Sequence, residues 1–137
     1  MYSNIMIPLD NTATDAVILT HVRPLAKMCK SSLILIHVAD GFMARNQRYL
    51  GESEEMRQDQ AYLDEKVIEL QKEGFEVKAI LATGEPSKQI LHYAHKEKCD
   101  LIAMSTHGHR GLSDIILGSV ADDIRHRTKI PVLLVRA

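Results

Sequence analysis

The chain has 137 residues, of which 45% are hydrophobic and 26% are charged, an ordinary composition for a globular protein. This length predicts one domain over residues 1–137, in which roughly two-thirds of the unfolded surface can be buried. The net charge of -1 excludes the basic footprint of a nucleic-acid-binding protein, and no apolar run is as long as a membrane span. With two cysteines and no signal-peptide pattern at the start, we expect a cytoplasmic protein.

Hydrophobic patterning predicts five strands that alternate with four helices. Continuous apolar runs indicate strands buried on both faces, whereas the alternation in Phe75–Ala82 indicates a strand near a sheet edge. Pro24 predicts a kink or an early stop in the first helix, whose apolar face is predicted at Val17, Leu25 and Met28. The predicted elements are strand Ile5–Leu9, helix Ala16–Met28, strand Ser32–Val38, helix Glu54–Lys72, strand Phe75–Ala82, helix Ser87–Lys98, strand Leu101–Met104, helix Val120–Arg127 and strand Pro131–Val135.

The second helix has the clearest boundaries. Leu63, Val67 and Leu70 recur at helical spacing, and Gly74 is a natural C-terminal cap. The polar segment before this helix, Ala39–Glu54, is interpreted as a mobile excursion, because no second domain follows it.

Alternating strands and helices predict an α/β fold, an open, doubly wound parallel sheet with helices on both faces. The most economical strand order is 3-2-1-4-5. The winding direction then reverses between the first and fourth strands, and ligands in such sheets bind at this reversal, beyond the carboxyl ends of the strands. Asp10 follows the first strand, so topology brings it toward the residues that follow the fourth.

The segment after the fourth strand carries a pattern typical of an anion site. It runs Ser105-Thr106-His107-Gly108-His109-Arg110-Gly111, and Gly118-Ser119 then opens the predicted last helix. Glycine lets a backbone approach a phosphate, and the free N–H groups at a helix start can bind it. Neither the Walker A motif nor G-x-G-x-x-G occurs, so the common phosphate loops are excluded.

Ser105-x-x-Gly108, nine residues and then Gly118-Ser119 resemble the nucleotide motif of the universal stress protein family, G-x-x-G, nine residues, G-[ST]. Ser105 stands where the family has its first glycine, and the other positions match in type and spacing. The resemblance covers nearly the whole chain and implies the adenine nucleotide alpha-hydrolase-like fold of the single-domain bacterial or archaeal type. It also implies that Asp10 contacts the nucleotide, that Val38 lines the adenine pocket and that the last strand forms dimers.

Topology and resemblance together give a set of candidate nucleotide-binding residues. Asp10 would accept a hydrogen bond from a ribose hydroxyl or, as the less favoured alternative, hold Mg²⁺. Val38 and Met104 would lie against the base or the sugar. The phosphates would meet Gly108 and the N–H groups of Ser119 and Val120. The full set is Pro8, Leu9, Asp10, Val38, Met104, Ser105, His107, Gly108, His109, Gly118, Ser119 and Val120, with positive charge from His109 and Arg110.

Several of these residues also have a plain structural explanation. Asp10 can serve as a turn residue, Gly108 can serve a tight turn, and Ser119 can be an N-cap paired with Asp122. The histidines on either side of Gly108 invite a metal-site interpretation, but loop histidines are mostly solvated, so no metal site is predicted apart from the Mg²⁺ alternative at Asp10.

The last strand is apolar and, in the order above, lies at a sheet edge. Exposed edges of this kind are normally protected, and pairing with a second copy across a two-fold axis would protect this one. We therefore predict a homodimer interface formed by Val132, Leu133, Leu134 and Val135. No nucleic-acid or membrane partner is expected, and a protein partner is left open.

Three functions follow as hypotheses. The first is a dimeric stress-response protein that binds ATP or another adenine nucleotide, with or without Mg²⁺, and hydrolyses it slowly at most. The second is a dimeric adaptor that binds no nucleotide, which Ser105 favours because its Cβ obstructs the close approach that glycine permits. The third is a hydrolase or phosphotransferase on the same fold, although no nucleophile and base stand at a recognisable spacing.

Overall fold

The computed structural model describes residues 1–40, 51–106 and 112–137, without the side chains of 40, 51–53 and 112–118. The predicted excursion Ala39–Glu54 thus lies mostly outside the described residues. Strands and helices alternate as predicted: β1 (Asn4–Pro8), α1 (Thr14–Cys29), β2 (Ser32–Asp40), α2 (Gly51–Lys72), β3 (Val77–Gly84), α3 (Pro86–Lys96), β4 (Leu101–Thr106), α4 (Leu112–Arg127) and β5 (Val132–Arg136).

Strand β1 is the centre of the sheet. The strands lie in the order β3-β2-β1-β4-β5 and pair in parallel, which confirms the predicted fold. β1 pairs with β2 from Asn4 to Pro8, and with β4 at Ile5 and Met6. The chain winds outward from β1 through β2 and β3 on one side, and through β4 and β5 on the other. The carboxyl end of β1 therefore lies at the point where the winding direction reverses.

Helices cover both faces of the sheet, and each face has its own apolar core. α1 and α2 pack on one face, where Leu63 is fully buried, and α3 and α4 pack on the other, where Ile90 is buried. Successive strand residues point to opposite faces, so Ile5 and Ile7 enter the first core and Met6 the second. This two-sided burial explains the continuous apolar run of β1. Within the described ranges, no helix is both long and apolar enough to span a membrane.

Helix α1 differs from its prediction in two ways. It continues through Pro24 without an early stop. Pro24 and Thr20 both lie on the exposed side, where water can bond the Thr20 carbonyl that loses its helical N–H partner. Of the predicted apolar face, Leu25 packs against the core as predicted. Val17 and Met28 are exposed, because packing against the sheet buries Ile18, Leu19, Val22 and Ala26 instead.

The predicted apolar face and cap of α2 and the edge position of β3 are confirmed, although α2 begins three residues earlier than predicted and β3 is shifted two residues along the chain. Leu63 and Leu70 are fully buried, and Val67 packs against the same core. Gly74 follows the end of the helix with φ +98, in the region that glycine adopts without a Cβ penalty. β3 begins at Val77 and forms the edge of the sheet beside β2.

Candidate functional site

Three predicted site residues lie at the carboxyl end of β1. Pro8 ends the strand, Leu9 is 4% exposed within the core, and Asp10 is half-buried at the start of the loop to α1. The N–H of Leu9 donates to the carbonyl oxygen of Ile36 at 2.8 Å, which prolongs the pairing with β2. Asp10 therefore leaves the sheet at the reversal point, as predicted, whereas the side chain of Leu9 belongs to the core.

The next candidates lie in β2 and β4. Val38 is half-buried and packs on the core that contains Met104, which is itself 1% exposed. Ser105 is 5% exposed and lies within β4, in register with Val135 of β5. The prediction that β4 ends at Met104 was wrong, because β5 supplies backbone partners as far as Thr106. Ser105 is therefore a strand residue and not a loop residue.

The prediction that the last helix opens at Gly118 was also wrong. α4 begins at Leu112, so Gly118, Ser119 and Val120 lie within it. Interior N–H groups of a helix bond to carbonyls four residues earlier, so Ser119 and Val120 do not offer the free donors of a helix start. One glycine costs a helix only about 1 kcal/mol, and packing of the buried Val120 side chain offsets that cost. The loop candidates His107, Gly108, His109 and Arg110 lie outside the described residues.

Two carboxylates hold the loop that follows β1. Asp10 Oδ1 accepts hydrogen bonds from Thr12, at 3.2 Å from its N–H and at 2.6 Å from its hydroxyl. Asp15, the second residue of α1, accepts from the N–H of Asp10 at 3.0 Å and from the N–H of Asn11 at 2.9 Å. Asn11 adopts φ +62, a left-handed conformation that asparagine tolerates better than most residues. Both the backbone and the side chain of Asp10 are thus held in place.

Asp15 is 2% exposed and is the buried centre of this loop. Tyr62 of α2 donates its hydroxyl to Asp15 Oδ2 at 2.5 Å. Burial raises the pKa of Asp15 to about 6, although the hydrogen bonds from Tyr62 and from the N–H of Asp10 act in the opposite direction. Burial and the Asp15 carboxylate both raise the pKa of Tyr62, so its hydroxyl stays protonated and donates. Three donors therefore converge on one buried carboxylate.

A second contact joins α2 to the same edge of the sheet. His37 Nδ1 donates to the Leu9 carbonyl oxygen at 2.9 Å, since a carbonyl can only accept. His37 Nε2 lies 3.3 Å from Asp59 Oδ2, and Asp59 is buried. Asp59 and Tyr62 are three residues apart and so face the same side of α2. Helix α2 therefore contacts α1 through Tyr62 and β2 through Asp59, and His37 links Asp59 to the residue that follows β1.

Four residues of the site were not predicted from the sequence: Asp15, Tyr62, His37 and Asp59. A signal for two of them exists, because Asp59 and Tyr62 stand at helical spacing with the buried Leu63. Polar groups on a buried helix face need partners, but no local pattern names those partners. In the described part of the chain, no group of three or more His, Cys, Asp and Glu side chains could hold a metal ion.

The predicted interface strand β5 lies at the edge of the sheet, beside β4. Leu134 is 41% exposed, and the other three predicted interface residues are half-buried against the two cores: Val132, Leu133 and Val135. An apolar side chain is therefore exposed along this edge.

Comparisons with known proteins agree with this fold. The model of the universal stress protein family matches residues 1–136. Universal stress protein MJ0577 of Methanocaldococcus jannaschii is 28% identical over 155 residues, which cover 99% of this chain and 96% of that protein. Its solved structure superposes with a TM-score of 0.79 at 31% identity, covering 100% of this chain and 97% of that one.

Two more distant structures hold adenine nucleotides. The universal stress protein of Archaeoglobus fulgidus in complex with dAMP has a TM-score of 0.72 at 20% identity, and 97% of each chain is covered. A universal stress protein in complex with cAMP has a TM-score of 0.72 at 19% identity, covering 98% of this chain and 97% of that one. At these identities the likeness establishes the adenine nucleotide alpha-hydrolase-like fold alone. Since the family model spans all but the last residue, the chain belongs to the universal stress protein family.

Proposed function

We propose that this protein binds ATP or a related adenine nucleotide at the carboxyl ends of β1 and β4. It acts in the cytoplasm as a dimeric regulatory module of a stress response, with little or no hydrolysis. The observation that carries the proposal is the fixed loop at the reversal point, which presents Asp10 beside the end of β1. The dAMP and cAMP complexes of two relatives support adenine nucleotides as the class of ligand.

The described residues fit the base and the sugar of such a ligand. The contacts from Thr12 orient the Asp10 carboxylate, whose Oδ2 atom is buried. A ribose hydroxyl would therefore donate to Asp10 Oδ1. Val38 offers an apolar, half-buried surface near the end of β2, where a base can pack. The phosphates would be bound by the loop at 107–111. The sequence has no Walker lysine, which supports binding without rapid hydrolysis.

Calorimetric titration of the nucleotide-stripped protein with Mg-ATP tests this proposal. We expect micromolar binding by the wild type and at least about tenfold weaker binding by Asp10→Asn, the effect of one lost charge-assisted hydrogen bond. Asp64→Asn is the matched control, because Asp64 is an exposed carboxylate of α2 bonded to Gln60. Gly108→Val should abolish binding. If neither the wild type nor Ser105→Gly binds Mg-ATP, the proposed nucleotide site is refuted.

The alternative function is a dimeric adaptor that binds no nucleotide. Ser105 favours it, because this buried strand residue replaces a family glycine and leads directly toward the proposed phosphate loop. The same titration separates the two functions. Binding by Ser105→Gly but not by the wild type would mean that serine has closed the site, and the adaptor function would then be preferred.

The proposed dimer pairs β5 with its copy across a two-fold axis. Leu134, 41% exposed on this edge, would be buried by the partner. Leu134→Lys should therefore convert the dimer to a monomer, as measured by light scattering after gel filtration. Ile68→Lys is the control, because Ile68 is 53% exposed on α2, away from the edge. A monomeric wild type, or a Leu134→Lys variant that stays dimeric, would contradict this interface.

A further inference from the structure

Asp10 is held by groups that belong to two other parts of the fold. The Asp15 carboxylate receives the N–H groups of Asp10 and Asn11, and Tyr62 of α2 donates to that same carboxylate. Asp15 and Tyr62 are 47 residues apart in sequence, so this contact forms only when α2 packs on the sheet. The conformation of the loop that presents Asp10 therefore depends on the position of α2.

We propose that Asp15 and Tyr62 are positioning residues that aim Asp10 at the ribose, and that they thereby set the preference of the site for ligands that carry ribose hydroxyls. This inference rests on the proposed nucleotide site and adds to it a determinant of sugar selectivity.

The chemistry of the carboxylate explains why this position needs an aspartate. Asp15 uses one oxygen for the N–H of Asp10 and the other for the N–H of Asn11 and the Tyr62 hydroxyl. The amide of an asparagine has only one acceptor oxygen, so its NH₂ group would face one of the two backbone donors. At a position that is 2% exposed, water cannot replace the missing acceptor, and the loop has to move.

Tyr62 supplies the third donor and fixes the orientation of the carboxylate. Tyr62→Phe removes one hydrogen bond and leaves both backbone contacts of Asp15 in place. It is therefore the milder variant, and we expect it to fold even if Asp15→Asn disturbs the whole loop. The matched control is Tyr93→Phe. Tyr93 lies on α3 and packs edge-on against His92.

The experiment compares ATP with 2′,3′-dideoxy-ATP, which lacks both ribose hydroxyls, by calorimetry on each variant. We expect the wild type to prefer ATP by about tenfold, the effect of one charge-assisted hydrogen bond. Asp10→Asn should remove the preference, Asp15→Asn should reduce it to about twofold, and Tyr62→Phe should fall between. Asp100→Asn is the control for Asp15→Asn, because Asp100 also accepts from two consecutive N–H groups but lies at the opposite end of the sheet. This variant should retain the wild-type preference for ATP.

The outcomes separate a positioning role from a purely structural one. If Asp15→Asn and Tyr62→Phe weaken ATP and its dideoxy analogue by the same factor, both residues only support the fold, and the inference is overturned while the proposed function stands. If the wild type binds neither nucleotide, the proposed function fails and the inference fails with it. Amide hydrogen exchange of the free protein gives a second measurement. The backbone amides of Asp10 and Asn11 should exchange faster in Tyr62→Phe than in the wild type. Equal exchange rates would contradict the positioning role.

Discussion

One aspartate at each end of the sheet accepts hydrogen bonds from two consecutive backbone N–H groups. At the amino end, Asp100 accepts from the N–H of Ser3 at 2.9 Å and from the N–H of Asn4 at 3.1 Å. At the carboxyl end, Asp15 accepts from the first two residues of the loop after β1, at 3.0 Å and 2.9 Å. The two devices differ in burial, since Asp100 is half-buried and Asp15 is 2% exposed.

The comparison shows that burial, and not the hydrogen bonds alone, decides what such a carboxylate does. Water can still reach Asp100, so this residue joins the start of β1 to the start of β4 at little electrostatic cost. Asp15 is surrounded by protein, and burial raises its pKa to about 6. Perturbed carboxylates of this kind are concentrated at functional sites, and this one stands beside the loop of Asp10.

The largest effect expected from this difference in burial is the pH dependence of stability caused by Asp15. Its ordinary pKa of 3.8 rises to about 6 in the folded protein, so the folded state binds more protons between these values. The free energy of unfolding therefore falls as the pH rises through this window and changes no further above it. Compared with Asp15→Asn, the wild type should lose roughly 2 to 3 kcal/mol between about pH 4 and about pH 7, as measured by urea denaturation.

The hydrogen bond from Tyr62 gives a second test of the Asp15 pKa. Its hydrogen bond lowers the pKa of Asp15, so Tyr62→Phe should move the midpoint of Asp15 above about 6 in a carbon-13 NMR titration. Tyr93→Phe should leave the midpoint in place. A stability difference between wild type and Asp15→Asn that is independent of pH would show that the buried carboxylate has no special role.

A smaller effect is expected at the amino end of the sheet. Asp100→Ala removes the acceptor for Ser3 and Asn4, but water can solvate these donors, so the free energy of unfolding should fall by only about 1.5 kcal/mol. ATP binding should not change, because Asp100 lies at the end of the sheet away from the proposed site. Urea denaturation and the ATP titration measure the two effects separately. Weakened ATP binding in Asp100→Ala would contradict the expectation that only the carboxyl end of the sheet affects the nucleotide site.

Much of the fold and part of the site could be predicted from local sequence. Continuous apolar runs identify buried strands, and helical spacing identifies the face of α2 that carries Leu63 and Leu70. The alternation of strands and helices leads to the observed strand order, and the order places Asp10 at the reversal point. These inferences succeed because the spacing of apolar residues within a single strand or helix shows which of its faces are buried.

Other features depend on contacts between distant parts of the chain. β5 prolongs β4 through Ser105, and packing on the sheet selects the buried face of α1 over Val17 and Met28. The contact between Asp15 and Tyr62 joins residues 47 positions apart, and neither residue stands in a pattern that names the other. Hydrophobic periodicity specifies that a group is buried, but the partner that satisfies a buried polar group is chosen by how whole elements pack. Local sequence patterns therefore specify the sheet and the place of Asp10, whereas the packing of α2 sets how the loop that carries Asp10 is held.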